Sequence, residues 1–333
     1  MNDPQSEAAR QAALELVRGA QRFLLLGHRS PDGDCAGSQA ALASALESLG
    51  KQVWILNPDP LPPSLEHLSR ARRFGVWRGG DLPAHDVAVA LDFSEFSRCG
   101  DLREPVAAAP SRKLVVDHHP VHGEPWWDAA WLDVGASSTG VLVHRIAGAL
   151  GARLDAAGAL GVFTSLVTDT GWFKYSNTDA ESLRVASEMV ELGVDPSRMY
   201  AQVFQRASRE RPLGIGRALG HLRYHAGGRL AVVALPAARD GEAELADGDE
   251  VLDLMRAVER VEVALFLRQA RGGEIKLSAR SKGGVDVNAL ARRFGGGGHA
   301  RASGASLSGD LEHCCAQVVE AALEALGERE VPA

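Results

Sequence analysis

The densest run of chemically capable side chains is Leu24 to Ser38, LLLGHRSPDGDCAGS, where an apolar run ends at Gly27 and His28, Asp32 and Asp34 follow within seven positions. Histidine and aspartate are ligands for hard or borderline divalent cations. Pro31 and Gly33 favour a tight turn, which would crowd the three side chains into one small volume. Alone, the stretch reads equally well as an acidic loop capping a helix. The layout recurs, however. The apolar run Val87–Leu91 ends in Asp92 and Phe93, and Lys113–Val116 ends in Asp117, His118 and His119. A single aspartate after a strand is ordinarily a turn residue or a cap, and a single histidine pair is ordinarily a satisfied polar contact. Three buried strands that each deliver His or Asp at the carboxyl end argue instead for one shared pocket, because an α/β sheet places its chemistry at that edge.

These residues require a parallel sheet to position them, and the surrounding pattern supplies one. Gln5 to Gln21 reads as an amphipathic helix with Ala12, Leu16 and Ala20 on one stripe, followed by a strand at Phe23–Leu26. A helix over Ser38–Leu49, stopped by Gly50, leads to a strand at Gln52–Leu56 and a proline-rich loop at Asn57–Ser64. Strand, helix, strand is a βαβ unit. Ser137, Ser138 and Thr139 form a cap cluster before a helix over Val141–Leu150, whose N-terminus could also receive a phosphate. Asp169 follows another apolar helix, Leu154–Val167, and Thr178 and Asp179 open one over Ala180–Leu192. Pro196 to Gly220 is polar and helical with a break near Pro212, the pattern of a connector. Beyond it, strands at Arg229–Leu235, Val261–Ala270 and Glu274–Arg280 alternate with helices at Val287–Phe294 and Leu311–Leu326, a smaller mixed α/β domain. The expected division is residues 1–195, a connector at 196–224, and residues 225–333.

Composition narrows the function. The chain of 333 residues is long enough for two cores, and 45% hydrophobic with 24% charged residues is a globular balance. No apolar run is long enough for a membrane span, and the first residues lack the basic and apolar regions of a signal peptide. Four cysteines without CxxC spacing indicate neither a disulfide framework nor a zinc knuckle, so the cytoplasm is the expected compartment. The net charge of −7 argues against coating long duplex nucleic acid, which demands a basic face. A small anionic substrate held by a local basic pocket or by metals remains compatible. Such a pocket is marked by the glycine tract Gly295–Gly298, flanked by Arg280, Lys282, His299 and Arg301. Consecutive glycines are entropically costly, and close approach of backbone to a ligand explains them better than a linker does.

The segments GHRSPDGDCAGS, LDFSEF, VVDHHP, SSTG and TDTGWF, in this order, resemble the motifs of the DHH phosphoesterase superfamily. Downstream, Arg280, Asp286–Asn288 and FGGGGHARASG resemble its DHHA1 domain. The resemblance implies a Rossmann-like parallel-sheet DHH domain plus a smaller mixed α/β DHHA1 domain. It implies two metal ions, usually Mn²⁺ with Mg²⁺ or Co²⁺ as substitutes. His28, Asp32 and Asp92 would hold one, and Asp34, Asp92, His118 and Asp169 the other, so that Asp92 bridges. It places His119 at the scissile phosphate as a catalytic group rather than a ligand. It also places Arg280, Gly296, Gly297, Gly298, His299 and Arg301 at the far end of the substrate. The short layout is similar to the nanoRNase and 3′-phosphoadenosine 5′-phosphate (pAp) phosphatase subfamily. Short oligoribonucleotides and small 3′-phosphonucleotides are therefore the expected substrates, and a homodimer is left open. Alternatives in other directions are a cyclic-di-AMP or pApA phosphodiesterase, a longer-range single-strand exonuclease, and a non-catalytic nucleotide sensor.

Overall fold

The computed structural model describes residues 4–121, 123–242 and 248–327; the outermost residues of the two expected domains, 1–3 and 328–333, lie outside the described residues. The chain divides into two compact units, Met1–Arg206 and Ala207–Ala333.

In the first unit the order is α1 (Pro4–Gly19), β1 (Arg22–Leu26), α2 (Gly33–Ser48), β2 (Gln52–Asn57), α3 (Glu66–Ala71), β3 (Gly75–Val76), β4 (Val87–Leu91) and α4 (Arg103–Ala108). It continues with β5 (Arg112–Asp117), β6 (Ala129–Leu132), α5 (Thr139–Leu150), α6 (Ala156–Asp169), α7 (Ala180–Glu191) and α8 (Pro196–Phe204). The strands form one parallel sheet in the order β3-β2-β1-β4-β5-β6. The order reverses between β1 and β4, so a crevice opens at their carboxyl ends. Alternate residues serve opposite faces. Phe23, Leu25, Val89, Leu91 and Val116 join one core, while Leu24, Leu26, Ala88, Ala90 and Val115 join another. Burial on both faces explains why these strands read as unbroken apolar runs.

Helix α2 begins at Gly33, ahead of the expected Ser38, because Asp32 caps it by accepting the N–H groups of Asp34 and Cys35. The helix is buried from Gly33 through Leu46, so no polar stripe betrays its start. It crosses α6 in direct backbone contact: a Cβ at Gly37 would sit 2.4 Å from the Gly161 carbonyl, and one at Gly161 would sit 2.5 Å from the Gly37 carbonyl. That approach brings the first turn of α2 beside the last turns of α6.

The second unit holds α9 (Glu210–Leu219), β7 (Leu222–His225), β8 (Leu230–Leu235), α10 (Asp249–Arg256), β9 (Val263–Gln269) and β10 (Ile275–Ser281). Then come α11 (Val287–Arg292), β11 (Gly297–His299), β12 (Ala302–Leu307) and α12 (Leu311–Ala325). Its mixed sheet runs β11-β12-β10-β9-β8-β7, with only β8 and β9 parallel. Leu230, Val232, Val263 and Leu265 pack with α12 on one face; Ala231, Val233, Ala264 and Phe266 pack with α10 on the other.

The expected connector at 196–224 is divided between the units. Tyr200 and Phe204 of α8 pack edge-on against Trp172, with ring centroids 5.0 and 5.7 Å away, whereas α9 packs on β8 and α10. The helical break falls between α8 and α9 rather than at Pro212. Pro212 sits in the first turn of α9, where an N–H has no helical partner to lose.

Candidate metal centre

Each strand end delivers its side chain to the crevice by a local device. His28 follows β1 and is buried, its Nδ1 2.7 Å from the carbonyl of Arg29. Asp92 follows β4 with φ of +69°, a left-handed conformation that aspartate tolerates better than most residues. Its N–H donates to the Val116 carbonyl at 3.0 Å, which holds the turn against β5. His118 follows β5, with Nδ1 3.1 Å from the Ala136 carbonyl. Asp34 and Asp169 arrive from the first turn of α2 and the last of α6, the two ends brought together by the glycine crossing. Asn177 donates to Asp169 Oδ2 at 3.3 Å and to its carbonyl at 3.1 Å.

The resulting side chains converge. His28 Nε2 lies 3.5 Å from Asp92 Oδ2 and 3.8 Å from Asp32 Oδ1. His118 Nε2 lies 3.4 Å from Asp34 Oδ2, 3.6 Å from Asp169 Oδ2 and 3.7 Å from Asp92 Oδ1. Two groups that could hold a cation result, His28–Asp32–Asp92 and Asp34–His118–Asp169, and Asp92 turns one oxygen towards each. A third such group joins Asp92, His118 and His119.

The donor set fits a divalent metal. In both His28 and His118 a backbone carbonyl accepts from Nδ1, which leaves Nε2 as the ligating nitrogen. Both Nε2 atoms are buried without a hydrogen-bond partner. Orphaned buried polar atoms are costly unless something absent satisfies them. The electrostatics agree. Burial and then the charge of Asp34 push Asp169 up to about 7, and burial with the charges of Asp34, Asp32 and Asp117 pushes Asp92 well above the usual carboxylate range. Burial opposes a charge on His28, yet the Asp32 carboxylate, 3.8 Å from Nε2, and the neighbouring Cys35 lift it to about 10. The crowded negative charge around Asp92 and Asp169 therefore favours protons or a cation there. Cations would displace the protons, the usual linkage of metal binding to proton release.

His119 stands at the rim, its Nδ1 2.8 Å from Asp117 Oδ1 and 3.5 Å from Asp92 Oδ1. Asp117, the first letter of the DHH run, is fully buried and accepts from both the ring and the N–H of His119. The hydrogen bond to Asp117 raises His119 above the ordinary imidazole value.

One expectation changes here. The N-terminus of α5 does not hold N–H groups ready for a phosphate, because those of Thr139 and Gly140 donate to Asp34 at 2.8 and 3.2 Å and that of Val141 to Ser138. The cap cluster therefore orients a cluster carboxylate. Thr139 Oγ1 likewise donates to Asp92 Oδ1 at 3.0 Å. Reading the sequence names Asp117 at its strand end without giving it a role, and passes over Asn177 and Ser165, which carry no signal of their own.

The residues expected at the far end of the substrate all fall in the second unit. Gly297, Gly298 and His299 form β11, an exposed edge strand, next to Gly296 and Arg301. Gly296 and Gly298 approach β12 so closely that a Cβ would meet the carbonyls of Gly304 and Ala302 at 2.1 and 2.6 Å. Strand contact thus accounts for those two glycines. Arg280 pairs with Asp249 at 2.8 Å, and Lys282 donates to the carbonyls of Val258 and Glu259.

A parallel sheet whose switch-point strands end in such a cluster is the architecture of a phosphoesterase of the DHH type. The chain belongs to the DHH family: residues 22–160 match its N-terminal domain and residues 227–329 match the DHHA1 domain. It is 35% identical over 304 residues to the bifunctional oligoribonuclease and PAP phosphatase NrnA of Thermus thermophilus, covering 90% of this chain and 88% of that one. It is 25% identical over 306 residues to the protein of the same name from Bacillus subtilis, covering 88% and 92%. Among solved structures it is similar to an exopolyphosphatase-related protein from Bacteroides fragilis, with TM-score 0.82, 27% identity and 96% of each chain covered. Among the described residues no helix is long and apolar enough to cross a membrane.

Proposed function

We propose that this chain is a two-metal phosphohydrolase that degrades short oligoribonucleotides to mononucleotides and removes the 3′-phosphate of pAp. The observation that carries the metal half is the pair of orphaned Nε2 atoms, on His28 and His118, each facing carboxylates across 3.4–3.8 Å. The relatives named oligoribonuclease and PAP phosphatase support the substrate half.

In this reading His28, Asp32 and Asp92 hold one ion and Asp34, Asp92, His118 and Asp169 the other. Carboxylates with imidazoles and no thiolate suit Mn²⁺ best, with Mg²⁺ and Co²⁺ as substitutes. When bound, the two ions neutralise charge on the phosphoryl group and lower the pKa of an attacking water. His119, its Nδ1–H given to Asp117, presents Nε2 to the substrate; as an imidazolium it stabilises charge on the phosphoryl oxygens and protonates the departing ribose oxygen. A new P–O bond forms to water as the P–O bond to that oxygen breaks. A cavity of about 660 Å³ beside Asp32, lined by Ser30, Asp59, Pro60, Ser64 and Thr168, has the volume of a small-molecule site. Arg280, His299 and Arg301, with the backbone of Gly296–Gly298, bind the end of the substrate remote from the scissile bond, which limits its length.

Side-by-side turnover of di- to pentaribonucleotides, pAp, pApA, cyclic-di-AMP and polyphosphate with Mn²⁺ tests the assignment. Dinucleotide to pentanucleotide and pAp should be the preferred substrates. Preference for cyclic-di-AMP, or cleavage of polyphosphate alone, would reject it.

A further inference from the structure

The carboxylate of Asp34 accepts more hydrogen bonds than the other aspartates of the cluster. Its Oδ1 takes the hydroxyl of Ser165 at 2.5 Å, that of Ser38 at 3.2 Å and the N–H of Gly140 at 3.2 Å; its Oδ2 takes the N–H of Thr139 at 2.8 Å. Oδ2 is also the oxygen that faces His118. Ser165 is fully buried in α6. An ionised carboxylate only accepts, so the single hydroxyl proton of Ser165 must go to Asp34. Its lone pairs then receive the N–H of Gly140 at 2.9 Å and the hydroxyl of Ser138 at 3.0 Å, while Ser138 takes the N–H of Val141. The hydroxyl of Ser165 is thereby locked onto Oδ1.

We infer that Ser165 is a positioning residue for the metal centre: by occupying Asp34 Oδ1 it leaves Oδ2 alone to bind the cation shared with His118 and Asp169. The inference rests on the two-cation reading above. Its geometry explains a second feature. A Cβ at Gly140 would sit 2.1 Å from the Ser165 hydroxyl and 2.6 Å from its Cβ, so glycine at position 140 keeps that hydroxyl in place. Helices α2, α5 and α6 thus meet at one hydroxyl group.

The test is Mn²⁺ titration of the metal-free protein, followed by the electron paramagnetic resonance signal of free Mn²⁺, with thermal melts of the same metal-free samples. The parent should bind two equivalents. Ser165→Ala should weaken one of them about 10–100-fold, the usual cost of losing a group that orients a ligand, and leave the other unchanged. Its metal-free melting temperature should stay near that of the parent. Gly140→Ala displaces the hydroxyl without removing it and should show the same selective loss. Combining Gly140→Ala with Ser165→Gly relieves the clash and should recover the melting temperature relative to Gly140→Ala, but not the metal affinity. If Ser165→Ala binds both equivalents as the parent does, or weakens both alike, the positioning role is overturned. Recovery of affinity in the double variant would overturn it too, since packing alone would then suffice. A parent that binds no Mn²⁺ would instead remove the two-cation reading, and this inference with it.

Discussion

His119 Nδ1 lies 2.8 Å from Asp117 Oδ1, and the N–H of His119 donates to the same oxygen at 3.1 Å. A buried carboxylate thus grips both the ring and the backbone of the histidine next to the cluster. Asp117 is itself held below the usual carboxylate range: burial opposes its charge, but the hydrogen bond and charge of His119 outweigh burial. The contact fixes the tautomer and aim of the ring, the arrangement by which a carboxylate commonly orients a catalytic imidazole.

Replacing Asp117 by Asn keeps the volume but supplies a weaker acceptor. Dinucleotide turnover should fall about 10–100-fold, within the range general acid–base groups contribute, with both Mn²⁺ equivalents retained. Steady-state kinetics with metal analysis of the purified variant measures both quantities. Unchanged turnover would mean that the aim of His119 does not depend on Asp117.

His119→Ala should lose more rate, about 10²–10⁴-fold, and still bind two equivalents. The motive is the 2.8 Å contact that commits Nδ1 to Asp117 and leaves only Nε2 for substrate. Loss of one equivalent on metal analysis would show that His119, not His118, completes a metal site.

Much of the centre is legible in the sequence because the rule behind it is local. A buried parallel strand announces itself as an apolar run, and the residues just beyond its carboxyl end must face the crevice; His28, Asp92, His118 and His119 are all marked in that way. Ser165 is not. It lies mid-helix in an apolar segment, and its importance comes from α2 and α5 crossing there, contacts that no periodicity records. The start of α2 is hidden because burial on all sides erases the polar stripe. Strands β11 and β12 contain Gly298 and Gly304, residues that lower strand propensity but permit the close approach seen in the second unit. Polarity alone suggests a connector, yet aromatic packing of Tyr200 and Phe204 on Trp172 holds its first half to the first unit.

Arg280→Ala tests the remote clamp. A charge-assisted hydrogen bond to phosphate contributes about 1.5–3 kcal/mol, so affinity for a dinucleotide should fall about 10–100-fold. A small generic phosphodiester that lacks the remote end of the substrate should be cleaved about as well as by the parent. The present partner of Arg280, Asp249 at 2.8 Å, adds a second arm. Asp249→Ala releases the guanidinium and should tighten dinucleotide binding, whereas equal losses on both compounds would assign Arg280 to folding.

Acid stability tests the join between the entrance of β1 and the entrance of β4. The Arg22 guanidinium at 2.6 Å and the N–H groups of Arg22 and Gln21 hold the Asp86 carboxyl down to about 2. A lowered carboxyl stabilises the fold above its unfolded pKa near 4, and the contribution fades as pH falls towards 2. Asp86→Asn should therefore cost on the order of 1 kcal/mol at pH 7, as the pair is partly exposed, and only a small fraction of that near pH 2. Denaturant unfolding at several pH values reads the difference. A gap between parent and variant that persists undiminished at pH 2 would contradict the assigned ion pair.

Asp92 gives the most direct test, because it alone turns one oxygen to each cation group, Oδ2 to His28 at 3.5 Å and Oδ1 to His118 at 3.7 Å. Bound Mn²⁺ and dinucleotide hydrolysis should be measured on the same samples of parent and Asp92→Ala. The parent should carry two equivalents; the variant should fold, lose tight binding of at least one, and turn over at less than about a thousandth of the parental rate, since the water and the phosphoryl group lose their shared activation. Turnover within a few-fold of the parent in Mn²⁺ would contradict the account.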